Sequence, residues 1–171
     1  FPPVRKEISK IGVNKRFTPE EAAYYQLKIN QRCLKSEKEY RRLLEMILKG
    51  QLVPIGLQEE CVDEAEGKLR CRAGKAAFWV TWDGYISLCG MIPDYKVDYR
   101  KMSFTDAWKI INKMSEELTL SGVCEQCDNF RLCHACAAMA IAETGDVTKV
   151  PKYLCKMVRA MKKIARDELE S

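Results

Sequence analysis

The sequence predicts an α+β fold in which short strands and several helices coexist without a complete barrel. Three observations predict it. Capped segments with an apolar stripe recur toward both ends of the chain. A single stretch, KAAFWVTWDGYISLC (residues 75–89), has strand texture around an Asp-Gly turn. No alternation of strand and helix signals repeats, so no βα barrel is encoded. The 171 residues suffice for one domain with a real core, or a small domain with appendages.

Taken in order, the first residues FPPVRKEISK hold neither an initiator Met nor an apolar signal region, and 1–17 read as a linker from a preceding domain. Thr18-Pro19-Glu20-Glu21 then opens a helix, with Thr as cap, Pro at the first helical position and Glu three residues after the cap. Ala22, Tyr25, Ile29 and Cys33 recur on one face, which predicts Cys33 as a core residue. Ser36-Glu37-Lys38-Glu39 repeats the capping signal, and Tyr40, Leu43, Leu44 and Ile47 continue a stripe as far as Gly50. An acidic connector, EECVDEAEG (59–67), completes a helical bridge over 18–67.

Residues 68–171 form the thiol-rich part. A short strand, KLRCR, would carry Cys71. A type I′ turn at Asp83-Gly84 sets Trp82 opposite Tyr85, Val80 opposite Ser87 and Phe78 opposite Cys89. Phe78, Trp79 and Trp82 then read as the core of the hairpin, or as a screen against water. Ser103 and Asp106 cap a helix to about Leu118. A short helix follows along ACAAMAIAE and stops at Gly145-Asp146. Pro151 starts the last helix, with Leu154, Val158, Met161 and Ala165 on one face and Cys155 in its first turn. Met157 and Met161 read as packing, and Arg159, Lys162 and Lys163 as a solvated side.

A content of 47% hydrophobic and 31% charged residues is ordinary for a globular protein. The net charge of +5 comes with neither a reading helix nor aromatic–basic interleaving, so nucleic acid is not an expected partner. No apolar run reaches the roughly eighteen residues a membrane span needs.

Nine cysteines (33, 61, 71, 89, 124, 127, 133, 136 and 155) are the dominant feature. Four fall within CEQCDNFRLCHAC (124–136), spaced C-x2-C-x5-C-x2-C, too tightly for separate disulfides to close useful loops. Thiolates so grouped are metal ligands. Zinc takes sets of four Cys or His, and His134 would serve there. Iron–sulfur clusters take thiolates, and the short x5 gap together with Cys71, Cys89 and Cys155 fits two clusters better than two zinc knuckles. Zinc stays the alternative, as the core of an interaction module without redox activity.

Cys71-x12-Gly84-x4-Cys89, then Cys124-x2-Cys127-x5-Cys133-x2-Cys136, then Cys155, resembles the seven-cysteine SPASM domain, the C-terminal auxiliary-cluster part of many radical S-adenosylmethionine enzymes of the peptide- and sulfatase-maturase type. Many members have three residues where this chain has only His134 and Ala135. The resemblance covers about residues 68–157, and RFTPEEAA looks like the bridge that precedes the domain in that family. It implies two [4Fe–4S] clusters, the first on Cys71, Cys89 and Cys136 and the second on Cys124, Cys127, Cys133 and Cys155. Cys61 is the candidate for the fourth ligand of the first cluster, ahead of Cys33; otherwise one iron stays open. The C-x3-C-x2-C spacing that holds the S-adenosylmethionine-cleaving cluster of the family occurs nowhere in the chain. The resemblance therefore implies a non-catalytic portion that passes electrons and walls a substrate cavity. Its implied partners are a radical S-adenosylmethionine barrel in the same parent chain, a peptide or protein substrate, and reduced ferredoxin or flavodoxin as donor. The implied location is the cytoplasm.

Overall fold

The computed structural model describes residues 16–51, 71–133 and 135–171. Among them the fold is α+β, with six α-helices, one open antiparallel sheet of three strands and no barrel. The elements run α1 (Pro19–Cys33), α2 (Glu37–Leu48), β1 (Trp79–Val80), β2 (Tyr85–Cys89), β3 (Ile92–Asp98), a 3₁₀ turn (Tyr99–Lys101), α3 (Phe104–Glu117), α4 (Gly122–Glu125), α5 (Ala137–Thr144) and α6 (Lys152–Glu170). They divide into two compact units. One comprises 71–125 with 135–150, the other 16–51 with 126–133 and 151–171. Cys61 and the acidic connector, His134, the linker up to 15 and residues 68–70 lie outside the described residues.

The second of these units is helical, and its helix starts follow the capping signals. Thr18 Oγ1 accepts the Glu21 amide at 3.2 Å while the Thr18 amide donates to Glu21 Oε2 at 2.9 Å, closing a capping box ahead of Pro19. Ser36 caps α2 through the Glu39 amide. Tyr40, Leu43, Leu44 and Ile47 are all buried, as their spacing predicts. The buried face of α1 differs from the expected one. Ala22, Ala23, Leu27 and Asn30 are inside, whereas Tyr25 and Ile29 are about half exposed and Cys33 is exposed. Cys33 is thus not a core residue. The reason is the neighbour: α1 packs along α6, and small Ala23 beside Leu27 lets two backbones approach where a Tyr–Ile stripe would hold them apart. Val158, Met161 and Ala165 of α6 close the same core, with Leu132 and part of Cys133.

The other unit holds the sheet, in the order β1-β2-β3, with α3 packed against β2 and β3. Its hairpin register is one residue off the expected one. Trp79 pairs with Ser87 and Val80 with Ile86, while the Thr81 amide donates to Tyr85 O at 2.8 Å. Trp82, Asp83 and Gly84 therefore form a three-residue loop, with Gly84 at φ +84° and its amide bonded to Thr81 O, instead of a two-residue turn. A one-residue slip exchanges the faces of the strand. Trp79, not Phe78 or Val80, now lies on the side of Ser87, and Trp82 projects from the turn at 98% exposure. Phe78 and Trp79 are exposed too, so the three aromatics are not a hairpin core. Phe78 instead meets Phe104 and Trp108 of α3 edge-on or tilted. Cys71 and Arg72 lie outside any strand. The Arg72 carbonyl accepts the amides of Lys75, Ala76 and Ala77 at 2.9–3.0 Å, so a tight turn follows Cys71 directly, while the rest of the expected strand lies outside the described residues. No described helix is long and apolar enough to cross a membrane.

Candidate metal centre

Cys71, Cys89 and Cys136, far apart along the chain, line one pocket of the sheet-bearing unit. Ala73, Leu88, Ile92, Ala137 and Ala138 complete its lining, and the pocket is partly open to solvent. Each thiol arrives by a different backbone device. Cys71 opens the Arg72–Ala77 turn, which is pinned to α3: Asn112 Nδ2 donates to Gly74 O at 3.0 Å and Ser115 Oγ to Ala73 O at 2.9 Å. Gly74, at φ +73°, sits so close to α3 that a Cβ would lie 2.6 Å from that of Ser115. Cys89 ends β2 just past a register shift between Ser87 and Cys89. The shift lets Leu88 and Cys89, neighbours that would otherwise face opposite ways, both border the pocket. Behind Cys89, the Trp79 indole lies so close over Gly90 that a Cβ there would be 3.0 Å from the ring. Cys136 is the N-cap residue of α5.

Main-chain amides face all three sulfurs. The Ala73 amide donates to Cys71 Sγ and the Met91 amide to Cys89 Sγ, both at 3.4 Å. The amides of Ala138 and Met139, at the open start of α5, favour the ionised Cys136 sulfur without making a regular cap bond. Burial nonetheless pushes the Cys136 thiol above its ordinary pKa. Those two amides act against the rise, and the nearby Cys71 and Cys89 sulfurs add to it. These amide donors, each two or three residues after its Cys, were not anticipated from the sequence. The only signal for them is the position itself, since any non-Pro residue supplies the group.

All eight described cysteines are thiols, not disulfides. Among the described residues no three His, Cys, Asp or Glu side chains converge tightly enough to hold a single metal ion. A cubane cluster asks for less convergence, because each thiolate takes a different corner iron, whereas structural zinc draws four donors onto one centre. The donor set fits the cluster: three thiols, a lining free of charged side chains, amide hydrogens on the Cys71 and Cys89 sulfurs, and a helix start at Cys136.

The other predicted ligands divide between the two units. Cys124 sits in α4 of the same unit, its amide bonded to Ser121 O. Cys127, Cys133 and Cys155 belong to the helical unit. The Cys127 carbonyl accepts the Phe130 amide and the Asn129 carbonyl those of Leu132 and Cys133, so two linked turns carry this loop. Cys133 packs against the helical core, and Cys155 is half-buried in the first turn of α6.

No family model and no solved structure matches the chain. Over 86 residues it is 28% identical to the AdoMet-dependent heme synthase of Methanosarcina barkeri, a stretch that covers 48% of this chain and 25% of that protein. The chain spans about a quarter of the length of this curated relative. The likeness supports a relation to radical S-adenosylmethionine enzymes, a family whose members use an iron–sulfur cluster together with S-adenosylmethionine.

Proposed function

We propose that this chain is an auxiliary [4Fe–4S] cluster-binding portion of a radical S-adenosylmethionine enzyme, serving electron transfer and substrate-cavity formation during modification of a peptide or protein side chain. The observation that carries the reading is the shared pocket of Cys71, Cys89 and Cys136, with amide donors to the first two sulfurs and the third at a helix start. Bound there, a cluster would supply one-electron chemistry, or a coordination point on an iron lacking a protein thiolate.

The protein's own groups have definite tasks in this reading. The three thiolates hold the iron. The amides of Ala73, Met91, Ala138 and Met139 offset negative charge on sulfur, which favours the reduced state. Leu88, Ile92 and the Ala137–Ala138 start of α5 keep water from one side. Cys61 is the candidate for a fourth thiolate. A second cluster on Cys124, Cys127, Cys133 and Cys155 rests on the spacing of these residues along the chain. A tetrapyrrole substrate is the second reading, favoured by the match to a haem synthase.

Purification without oxygen tests the proposal. A brown chain with broad visible absorption and matched iron and acid-labile sulfide is expected. Cys136→Ala should abolish the cluster built on Cys71 and Cys89 while sparing the other, as two separable paramagnetic signals would report. A colourless chain carrying stoichiometric zinc after growth in ample iron would overturn the reading in favour of a zinc-stabilised module. Titration with a tetrapyrrole and with peptides, followed by the cluster absorption, separates the two substrate classes.

A further inference from the structure

One face of α6 carries Lys152, Lys156, Arg159, Lys163 and Arg166, all exposed. At 3.6 residues per turn they fall within an arc of about 80° and extend over about 21 Å. Val158, Met161 and Ala165, which fix the helix to its core, occupy the opposite side. No Asp or Glu interrupts residues 152–166. Among the described residues none of the five cations forms an ion pair.

Helix stability does not account for this pattern. The first turn of α6 has no acidic residue and its last turn no basic one, so the charges run against the helix dipole. Spacings of three and four residues also bring like charges together along the stripe, which weakens a helix further. A solvated face needs only mixed charge. A row of one sign, held against both effects, suits an anionic partner. Single-stranded nucleic acid is disfavoured because no exposed aromatic side chain accompanies the row on α6. Cys155 lies on the flank of the same row, half-buried between Lys152 and Lys156 in the first turn.

We infer that this cationic stripe is the landing surface for a small acidic protein carrying one transferable electron, delivered toward Cys155. The inference rests on the proposal that Cys155 ligates a cluster. In the transfer the carrier's reduced cofactor loses one electron and the oxidised cluster gains it; no bond forms or breaks, and no proton need move.

The test compares the full chain with Arg159→Glu/Lys163→Glu/Arg166→Glu, in which every change is at an exposed position and every cysteine is kept. The probe is an acidic plant-type [2Fe–2S] ferredoxin, with dithionite as the small reductant. In stopped flow at low salt the variant should be reduced by ferredoxin at least about tenfold more slowly. The wild-type rate should fall steeply as salt is raised, while dithionite reduces both proteins equally and iron content is unchanged. Ferredoxin rates that agree within about twofold and ignore salt would overturn the inference. Calorimetric binding of oxidised ferredoxin needs no cluster in the chain and so is read even if the cluster proposal fails. Binding lost in the variant supports the surface, and equal or absent binding refutes it. Tighter binding of a DNA duplex than of ferredoxin would also refute it.

Discussion

Gly74→Ala would drive a methyl group into the contact that fixes Cys71. The added carbon would lie 2.5 Å from Leu88 Cδ1, 2.6 Å from Ser115 Cβ and 3.1 Å from Ile111 O. Leu88 and Ser115 are both buried, so neither can swing into solvent. The backbone adds to the cost, since φ is +73° and an alanine there loses about 1–2 kcal/mol relative to glycine. Overpacking a filled core costs about 1–3 kcal/mol more, and the less flexible unfolded chain returns about 0.4–1 kcal/mol. The net expectation is a loss of about 2–4 kcal/mol, measured by urea unfolding followed by far-ultraviolet circular dichroism. Because Leu88 and Ala73 also line the thiol pocket, iron bound through Cys71 should fall even in buffer where the variant is fully folded. A loss below about 0.5 kcal/mol with unchanged iron would refute the argument that α3 clamps this turn.

Three further outcomes are expected. Thr18→Ala removes the side-chain half of the capping box, the Glu21 amide's bond to Thr18 Oγ1, while the backbone amide of residue 18 can still donate to Glu21; it should cost about 1 kcal/mol of stability in urea unfolding, with the thiol sites unaffected. Tyr40→Phe deletes a 2.7 Å hydrogen bond to Glu168, which also pairs with Lys28; a loss of about 1–2 kcal/mol is expected from the same measurement, moderated because Glu168 can reach water. Asp98 is held down to a pKa of about 2, chiefly by the Arg100 side chain that bonds it at 2.8 Å. Because its folded value is depressed, its contribution is complete above the ordinary carboxylate value and fades as pH falls through 4 toward 2. Asp98→Asn should therefore flatten the dependence of unfolding on pH in that window only, and by a small amount, since the pair lies at the surface.

Helix starts were legible because caps are local chemistry: Thr18, Ser36 and Ser103 each bond an amide three residues on, and the residues themselves announce it. Faces were legible where one apolar stripe had no rival, as in α2. On α1 two stripes competed, and the choice of Ala23–Leu27 over Tyr25–Ile29 belongs to α6, far away in sequence. The hairpin was visible but its register was not. Asp83-Gly84 suits a two-residue turn and equally a three-residue loop with the glycine last, and only the pairing of β2 with β3, Tyr85 with Asp98 and Ile86 with Val97, distinguishes them. β3 itself was missed, because IPDYKVD carries a Pro and charged residues that mask its strand character. Of the candidate site, the residue types and grouping were legible. The turn at Gly74 and the shift before Cys89 were not, since both arise from contacts with α3 and β3.

That division bears on how the pocket works. The groups facing the sulfurs are peptide amides, and three unlike devices aim them: a turn clamped by a helix, an irregular strand end and a helix start. A side-chain donor can swing away when the charge on sulfur changes, but an amide within a clamped turn cannot without breaking the clamp. Were a cluster bound there as proposed, the donors would stay aimed in both oxidation states, which would lower the reorganisation that an electron transfer demands. Lining residues such as Ile92 and Ala137 govern access of water and tolerate exchange for side chains of similar volume. Asn112 and Ser115, although neither lines the pocket, hold the turn through Gly74 O and Ala73 O, and so hold the Cys71 sulfur in register with the other two.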